Sequence, residues 1–214
     1  MTTPEASKLL DVAQIQAAYS AFAQHYDAQR ASFDMQDVLE GLLRRVPARG
    51  RLLDLGCGAG EPVARTFIER HWEVTGVDFC EAMLALAQRE VPAMHRVCCD
   101  LREARFPSAS FDAITAVYSL FHIPSAEHPA LFARMREWLR PDGVALFTYA
   151  TRDYTGADRF DGYLDFMGQS LFYSHVSVPE LMRELASAGL TVEEAVDRDI
   201  GGETFLWVSV RRTD

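Results

Sequence analysis

Apolar residues recur at steps of three and four near the start of the chain. Val12, Ile15, Tyr19, Phe22 and Tyr26 form one stripe, which predicts an amphipathic helix. A second helix is predicted over residues 35–46, stopping at Pro47. Beyond it the period changes. Short β-rich runs alternate with helical stretches: RLLDL (51–55), a helix over 61–70, EVTGVD (73–78), a helix over 80–90, and MHRVCC (94–99). The series continues with FDAITAVYS (111–119), a helix over 126–139 ended by the RPDG turn at 140–143, and GVALFTYA (143–150). Strand, helix and strand at this rhythm imply right-handed crossovers and a parallel sheet buried on both faces.

Residues 151–176 interrupt the rhythm. They are rich in aromatics and glycine, show no sustained strand period, and are expected to be an insertion of the kind that builds a substrate cap on an α/β protein. SVPE (177–180) reads as a capping box of Ser177 with Glu180, opening a helix that ends at Gly189. LTVEEAVDRD and ETFLWVSVRR then read as two strands joined at Gly201-Gly202, so one of them must run against the sheet. The organisation predicted is a single domain over 1–214. It comprises a helical cap (1–47), a ligand-binding core (48–150), the insertion (151–176) and a final helix with a hairpin (177–214).

Composition narrows the partners. A formal charge of −10 argues against binding a phosphate backbone, and the basic pairs Arg44-Arg45 and Arg211-Arg212 are expected at solvated ends of elements. No apolar run approaches the ~20 residues of a membrane span. The N-terminus lacks a basic segment followed by an apolar one, so no signal peptide is expected. Cys57, Cys80, Cys98 and Cys99 form no C-x-x-C pair and are expected to be free thiols in a reducing cytoplasm.

The candidate chemistry sits in LLDLGCGAGEP (52–62), where Gly56, Gly58 and Gly60 alternate behind a strand. A dinucleotide fingerprint needs G-x-G-x-x-G, and here Glu61 stands where the third glycine would be. A carboxylate there would repel a pyrophosphate seeking the same N–H groups. The loop therefore suits an adenosine ligand without phosphates. Asp78 ends the second strand about 20 residues further on, where a carboxylate meets both ribose hydroxyls; its alternative role is capping the helix that begins near Cys80. Asp54, Asp78 and Asp100 fall at the carboxyl ends of successive strands, the edge where open α/β sheets bind ligands.

With VTGVDFCEAMLALA, CCDLREARFPSASFDAITAVYSLFHIP and LRPDGVALFT, the glycine loop resembles the successive motifs of class I S-adenosylmethionine-dependent methyltransferases, strongly over residues 51–150 and loosely over 177–211. The resemblance implies a doubly wound, mostly parallel seven-stranded α/β sheet in the order 3-2-1-4-5-7-6, with strand 7 antiparallel and a helical N-terminal cap. It implies S-adenosyl-L-methionine as cofactor. Gly56, Cys57, Gly58 and Gly60 would hold its methionine part, with Asp54 supporting the loop. Asp78 would take the ribose and Phe79 would lie against the adenine. Asp100 would accept the adenine amino group and the Leu101 N–H would meet the ring. Met83, Tyr118 and Ser119 complete the expected cofactor contacts, and Tyr19 and Tyr26 match loosely the tyrosines of the family's N-terminal helices.

Methyl transfer from a sulfonium is an in-line displacement, and alignment alone can supply ~7–11 kcal/mol of barrier reduction. A base adds ~10²–10⁴-fold when the acceptor is protonated. His122, after the fourth strand, is the candidate base because its unperturbed pKa is suitable; the alternative is a structural histidine before Pro124. Tyr118, His122, Tyr149, Tyr173 and His175 are the expected substrate contacts. Phe160, Tyr163, Phe166, Phe172 and Tyr173 form either an aromatic wall for the acceptor or the core of the insertion. His128 is expected at the surface or as a cap, and the facing of Glu203 and Trp207 is left open by the unknown strand register. The reading is a cytoplasmic monomer or homodimer that methylates an O or N atom of a small metabolite, with no metal, nucleic-acid or membrane partner. The alternatives are a non-catalytic S-adenosylmethionine-binding protein and an NAD-dependent oxidoreductase, and the missing third glycine counts against the latter.

Overall fold

RLLDL forms the central strand, β1 (Arg51–Leu55), and its alternation sets the layering of the whole molecule. A computed structural model describes residues 11–30, 34–166 and 168–213, with the side chains of 24–30 outside the description. Leu52 points into one hydrophobic layer, whereas Leu53 and Leu55 belong to the other. The same two-residue period runs through β4 (Phe111–Ala116) and β5 (Leu139–Tyr149). Ala113, Val144 and Leu146 face the first layer; Ile114, Ala116, Ala145 and Phe147 face the second.

Helices cover both faces. α1 (Val12–Arg30), α2 (Gln36–Leu43), α3 (Val63–Ile68) and α4 (Glu81–Glu90) contribute to the first side, and α5 (His128–Trp138) and α7 (Val178–Ser187) to the second. With β2 (Glu73–Asp78), β3 (His95–Cys98), β8 (Leu190–Ile200) and β9 (Glu203–Arg212), the seven-stranded sheet runs β3-β2-β1-β4-β5-β9-β8. β9 is antiparallel to both β5 and β8, while the pairs among β1 to β5 are parallel. Setting aside two strands inserted between β5 and β8, this is the expected order 3-2-1-4-5-7-6 with its antiparallel strand.

Those two strands are the main departure. Residues 151–176 contain a short helix, α6 (Arg152–Thr155), and a regular antiparallel hairpin, β6 (Phe160–Phe166) with β7 (Gln169–His175). The sequence conceals it because β7 is buried on consecutive residues from Leu171 to His175, leaving no polar alternation to detect. The hairpin docks on α1: the Gln14 side-chain amide donates to the Ser170 carbonyl at 2.9 Å, and the Asp11 N–H donates to the Tyr163 hydroxyl at 2.9 Å. Of the expected aromatic wall, Phe172 and Tyr173 are buried, while Phe160, Tyr163 and Phe166 pack half-buried against the same layer.

Smaller corrections have local causes. α3 begins at Val63 because Gly60 to Pro62 complete the preceding turn. The SVPE segment does open α7 at Ser177, but no side-chain capping bond forms; Glu180 pairs with Arg159 instead. Of the basic pairs, Arg44 is exposed as expected, whereas Arg45, Arg211 and Arg212 are half-buried. Arg45 pairs with Glu194 across to β8, and Arg212 donates to the carbonyls of Arg136 and Leu139 at the end of α5.

Gly56 shows why the loop tolerates no side chain. Its φ is +74°, and a Cβ there would lie 2.4 Å from Ser119 Cβ, so the close neighbour is protein. Gly202, at the β8–β9 turn, has a φ of +84°, and a Cβ there would meet nothing within 4 Å. Gly56→Ala should therefore cost about 3 kcal/mol or more, from strain plus overlap, against about 1 kcal/mol for Gly202→Ala. Urea denaturation of the two variants checks this; equal losses would contradict the packing.

Candidate active site

The carboxyl ends of β1, β2 and β4 open onto a cleft of about 720 Å³. The glycine loop closes its floor because the N–H groups of Gly56 and Cys57 both donate to the Val77 carbonyl, at 2.8 and 3.0 Å. Asp78 then ties the loop to the next helix. One carboxylate oxygen accepts from the Gly58 N–H at 2.9 Å and the other from the Cys80 N–H at 2.8 Å, where α4 begins. Asp78 thus fixes the approach to α4 through the Cys80 N–H, without a side-chain cap on the helix itself, and it also lines the cleft. An ionised carboxylate offers about four acceptor positions, so it can hold more than one donor at once.

The walls are largely apolar. Phe79, Met83, Leu101 and Ile123 come from the sheet side, and Val12, Ile15 and Tyr19 from α1. The Gln16 side-chain amide fastens α1 over this site by donating to the Phe79 carbonyl at 2.9 Å. Asp100 lines the cleft beside Arg102, whose guanidinium donates to both its oxygens at 2.7–3.1 Å. Burial alone would raise the Asp100 pKa, but the Arg102 bonds outweigh it and hold the carboxyl below its usual range. Arg102, Val12, Ile15 and Ile123 are site residues the sequence reading missed. The stripe pattern of α1 signals Val12 and Ile15 as core, and Arg102 is marked only by its place after Asp100.

Glu61 stands to the side of the cleft. It pairs with Arg65 within the start of α3 and is absent from the cleft lining. The carboxylates that line the cleft are Asp78 and Asp100. Asp54 is buried beneath the loop, accepting from the Thr115 hydroxyl at 2.8 Å. Cys57 and Gly60 also stand behind the lining: Cys57 packs toward Gly76, and Gly60 toward Val91.

Tyr118 and Ser119 follow β4 into the cleft. Tyr118 adopts a φ of +54°, a left-handed conformation that costs a tyrosine about 1–3 kcal/mol. Its backbone N–H is held by the Thr148 hydroxyl at 2.6 Å, and its ring packs on Phe205 and Trp207. The Ser119 hydroxyl donates to the Leu55 carbonyl at 2.8 Å.

His122 joins three elements. Its Nδ1 lies 2.6 Å from the Phe172 carbonyl, which can only accept, so Nδ1 carries the proton. Its Nε2 is then an acceptor, and the Tyr19 hydroxyl donates to it at 2.8 Å. One edge of the ring reaches the cleft, yet packed side chains surround the rest; this burial lowers the pKa to about 4. At neutral pH His122 is an uncharged acceptor and a weak base.

Three expected substrate contacts lie elsewhere. Tyr149 follows Thr148 on β5 and so points to the opposite face, where its hydroxyl donates to His128 Nδ1 and accepts from the Val176 N–H. His175 is fully buried, bonding the Thr155 hydroxyl and the Val176 carbonyl. Tyr173 stacks on Phe121 and meets the Tyr154 hydroxyl at 3.2 Å, behind the cleft wall. Tyr154 also donates to Glu203 at 3.1 Å, which places that residue on the same side. His128, expected near the surface, is fully buried, with Nε2 donating to the Leu120 and Ile123 carbonyls. The expected contact at Tyr26 lies outside the described residues.

Residues 26–195 match a family model described as a methyltransferase domain. Among curated proteins, the chain is 33% identical over 150 residues to a malonyl-[acyl-carrier protein] O-methyltransferase of Enterobacter lignolyticus, covering 67% of this chain and 56% of that protein. It is 31% identical over 177 residues to a 27-O-demethylrifamycin SV methyltransferase of Amycolatopsis mediterranei, covering 79% and 64%. The chain thus spans less than two thirds of the length of these relatives. A solved structure of Burkholderia thailandensis 1,6-didemethyltoxoflavin-N1-methyltransferase, with bound 1,6-didemethyltoxoflavin and S-adenosylhomocysteine, superposes with a TM-score of 0.75. That match is at 23% identity and covers 100% of this chain and 94% of the other, a likeness of fold.

The buried histidines carry a pH signature. Burial lowers His122 and His128 from 6.5 to about 4, so between those values the unfolded chain binds more protons than the folded one. Stability should be full above about pH 6.5 and fall as pH drops towards 4, by up to roughly 3 kcal/mol for the fully buried His128 and less for His122. Urea midpoints across this range check the slope; a flat profile would contradict neutral, buried imidazoles.

Proposed function

The chain belongs to the methyltransferase-domain family, and on that premise we propose that the cleft binds S-adenosyl-L-methionine and that the protein transfers its methyl group to an oxygen or nitrogen of a small molecule. The observation that carries this reading is the chemistry of the lining. Gly56 and Gly58 leave the loop bare, Asp78 and Asp100 offer carboxylates, and apolar side chains form the walls. Among the described lining residues the sole permanent cation is Arg102, and Asp100 and Glu127 hold it. Such a site disfavours a pyrophosphate and favours a ligand with cationic groups at one end and a ribose at the other.

In this reading Asp78 accepts from the ribose hydroxyls, Phe79 and Met83 flank the adenine, and Asp100 with the Leu101 N–H meets its edge. Gly56 and Gly58 admit the amino-acid end beside Tyr118 and Ser119, while Asp54, Cys57 and Gly60 support the loop from behind. The cofactor supplies an electrophilic methyl carried on a sulfonium. The protein's part is alignment. Tyr19 presents its oxygen with its proton directed to His122 Nε2, and the Phe172 carbonyl fixes the His122 tautomer. His122 therefore works through Tyr19, orienting a hydroxyl and relaying a proton from an acceptor O–H or N–H. A pKa near 4 limits it as a base, so acceptors already nucleophilic at neutral pH suit the site best. α1 and the β6–β7 hairpin act as the substrate cap within one domain. The four cysteines are free, in keeping with a cytoplasmic location, and no helix among the described residues is long and apolar enough to cross a membrane.

Calorimetry should detect S-adenosylhomocysteine binding and none of NAD; the reverse would replace the proposal by an oxidoreductase. Asp78→Ala should weaken that binding by ~1.5–3 kcal/mol. Transfer of labelled methyl from S-adenosylmethionine into a panel of small carboxylates, phenols and amines tests turnover, and persistent absence of transfer with intact binding would favour a non-catalytic binding protein. Tyr19→Phe and His122→Ala should each slow transfer by about 10²-fold, and the double variant should be no slower than the worse single one, because the two act as a unit. Additive losses would separate them.

A further inference from the structure

A second cavity, of about 590 Å³, lies between α2, β8 and β9 and shares no lining residue with the cleft. Its floor is formed by Leu146 of β5 with Trp207 and Ser209 of β9. Trp207 and Ser209 are two residues apart on one strand and so face the same way. Each is 2% exposed. The indole Nε1 of Trp207 and the hydroxyl of Ser209 are both buried without a hydrogen-bond partner among the described residues. Leaving a buried donor unmet costs ~1–3 kcal/mol, so two at one cavity floor call for an acceptor that enters from outside.

The rim is charged in an uneven way. Arg44, Arg45 and Arg198 face Asp37 and Glu194. Arg45 and Arg198 both bond Glu194, the latter at 2.9 Å, and these bonds hold its carboxyl below the ordinary range. Arg44, just past the end of α2, is exposed and makes no ion pair among the described residues. Three guanidinium groups against two carboxylates leave one positive charge in excess. The cavity therefore combines neutral donors at its base with an unmatched cation at its mouth.

We infer that this cavity binds a small organic monoanion: a carboxylate that also carries a carbonyl or hydroxyl oxygen. The carboxylate meets Arg44 at the rim, where guanidinium geometry suits it. The uncharged oxygen accepts from Trp207 and Ser209 below. A dianion exceeds the available charge, and a hydrocarbon leaves both donors unmet. The Trp207 ring packs on that of Tyr118, which lines the cleft, with centroids 5.8 Å apart, so this contact of two side chains stands between the pocket and the cleft. The inference does not depend on which cofactor the cleft holds.

Indole N–H resonances provide the test, with Trp138 as an internal reference in the opposite layer. The full chain is titrated with pyruvate and with lactate, and separately with methyl pyruvate. The expected result is a saturable shift of the Trp207 indole signal with at least one of the two acids and a binding constant about tenfold weaker for the ester. The Trp138 signal should stay in place. Arg44→Ala, at an exposed position, should weaken binding about tenfold, and Ser209→Ala should weaken it too while leaving the melting temperature at or above that of the wild type. An unmoved Trp207 signal with both acids would overturn the proposal. So would equal responses to acid and ester, or a response unchanged in both variants.

Discussion

Asp78 is the constraint on which the rest of the cleft depends. One buried carboxylate receives an N–H from Gly58 and another from Cys80, so the glycine loop and the start of α4 are held in register by a single side chain. Hydrogen bonds to an ionised acceptor are about twice as strong as neutral ones. Here they also fix where the carboxylate must be. The backbone around it fixes its place in the cleft lining, and in the proposed reading a ligand with a diol finds the acceptor already oriented. In that reading, preorganisation of the protein and recognition of the ligand are two uses of the same atoms.

The strand period distributes everything else. Along β5, Thr148 turns toward the first layer and holds the Tyr118 N–H, while Tyr149 turns away into the second. Tyr118 keeps its left-handed backbone through that bond and through packing on Phe205 and Trp207, both from the antiparallel strand β9. The reversal of β9 thus has a local consequence at the cleft: it brings two aromatic rings beneath a strained tyrosine. Above, α1 and the hairpin meet through Gln14 and Asp11, and they deliver Tyr19 and the Phe172 carbonyl to opposite sides of His122. Three elements distant in the chain converge on one imidazole.

Much of this was legible in the sequence, and the limits have physical reasons. The apolar runs from Arg51 to Tyr149 announce a parallel sheet, and the reversed final strand follows from the tight turn at Gly201-Gly202. Gly56, Gly58, Asp78 and Asp100 lie where the loop and the strand ends predict, and Phe79, Tyr118 and Ser119 where the family resemblance implies, around one cleft. The hairpin was hidden because a strand buried on successive residues loses its alternation. Tyr149 was misplaced because strand parity cannot be known before the register. His128 looked like a cap from its place at a helix start, yet the chain folds back over it and two carbonyls take its N–H. Arg102 carried no pattern at all; only the fold shows that it neutralises Asp100 at the cleft edge.

The most direct test of this account compares S-adenosylhomocysteine with its 2′,3′-dideoxy analogue by calorimetry, on the wild-type chain and on Asp78→Asn. If the Asp78 carboxylate and the diol are partners, removing the ribose hydroxyls will sharply weaken binding to the wild type and change little in the variant. An equal loss in both proteins, or none in the wild type, would contradict it.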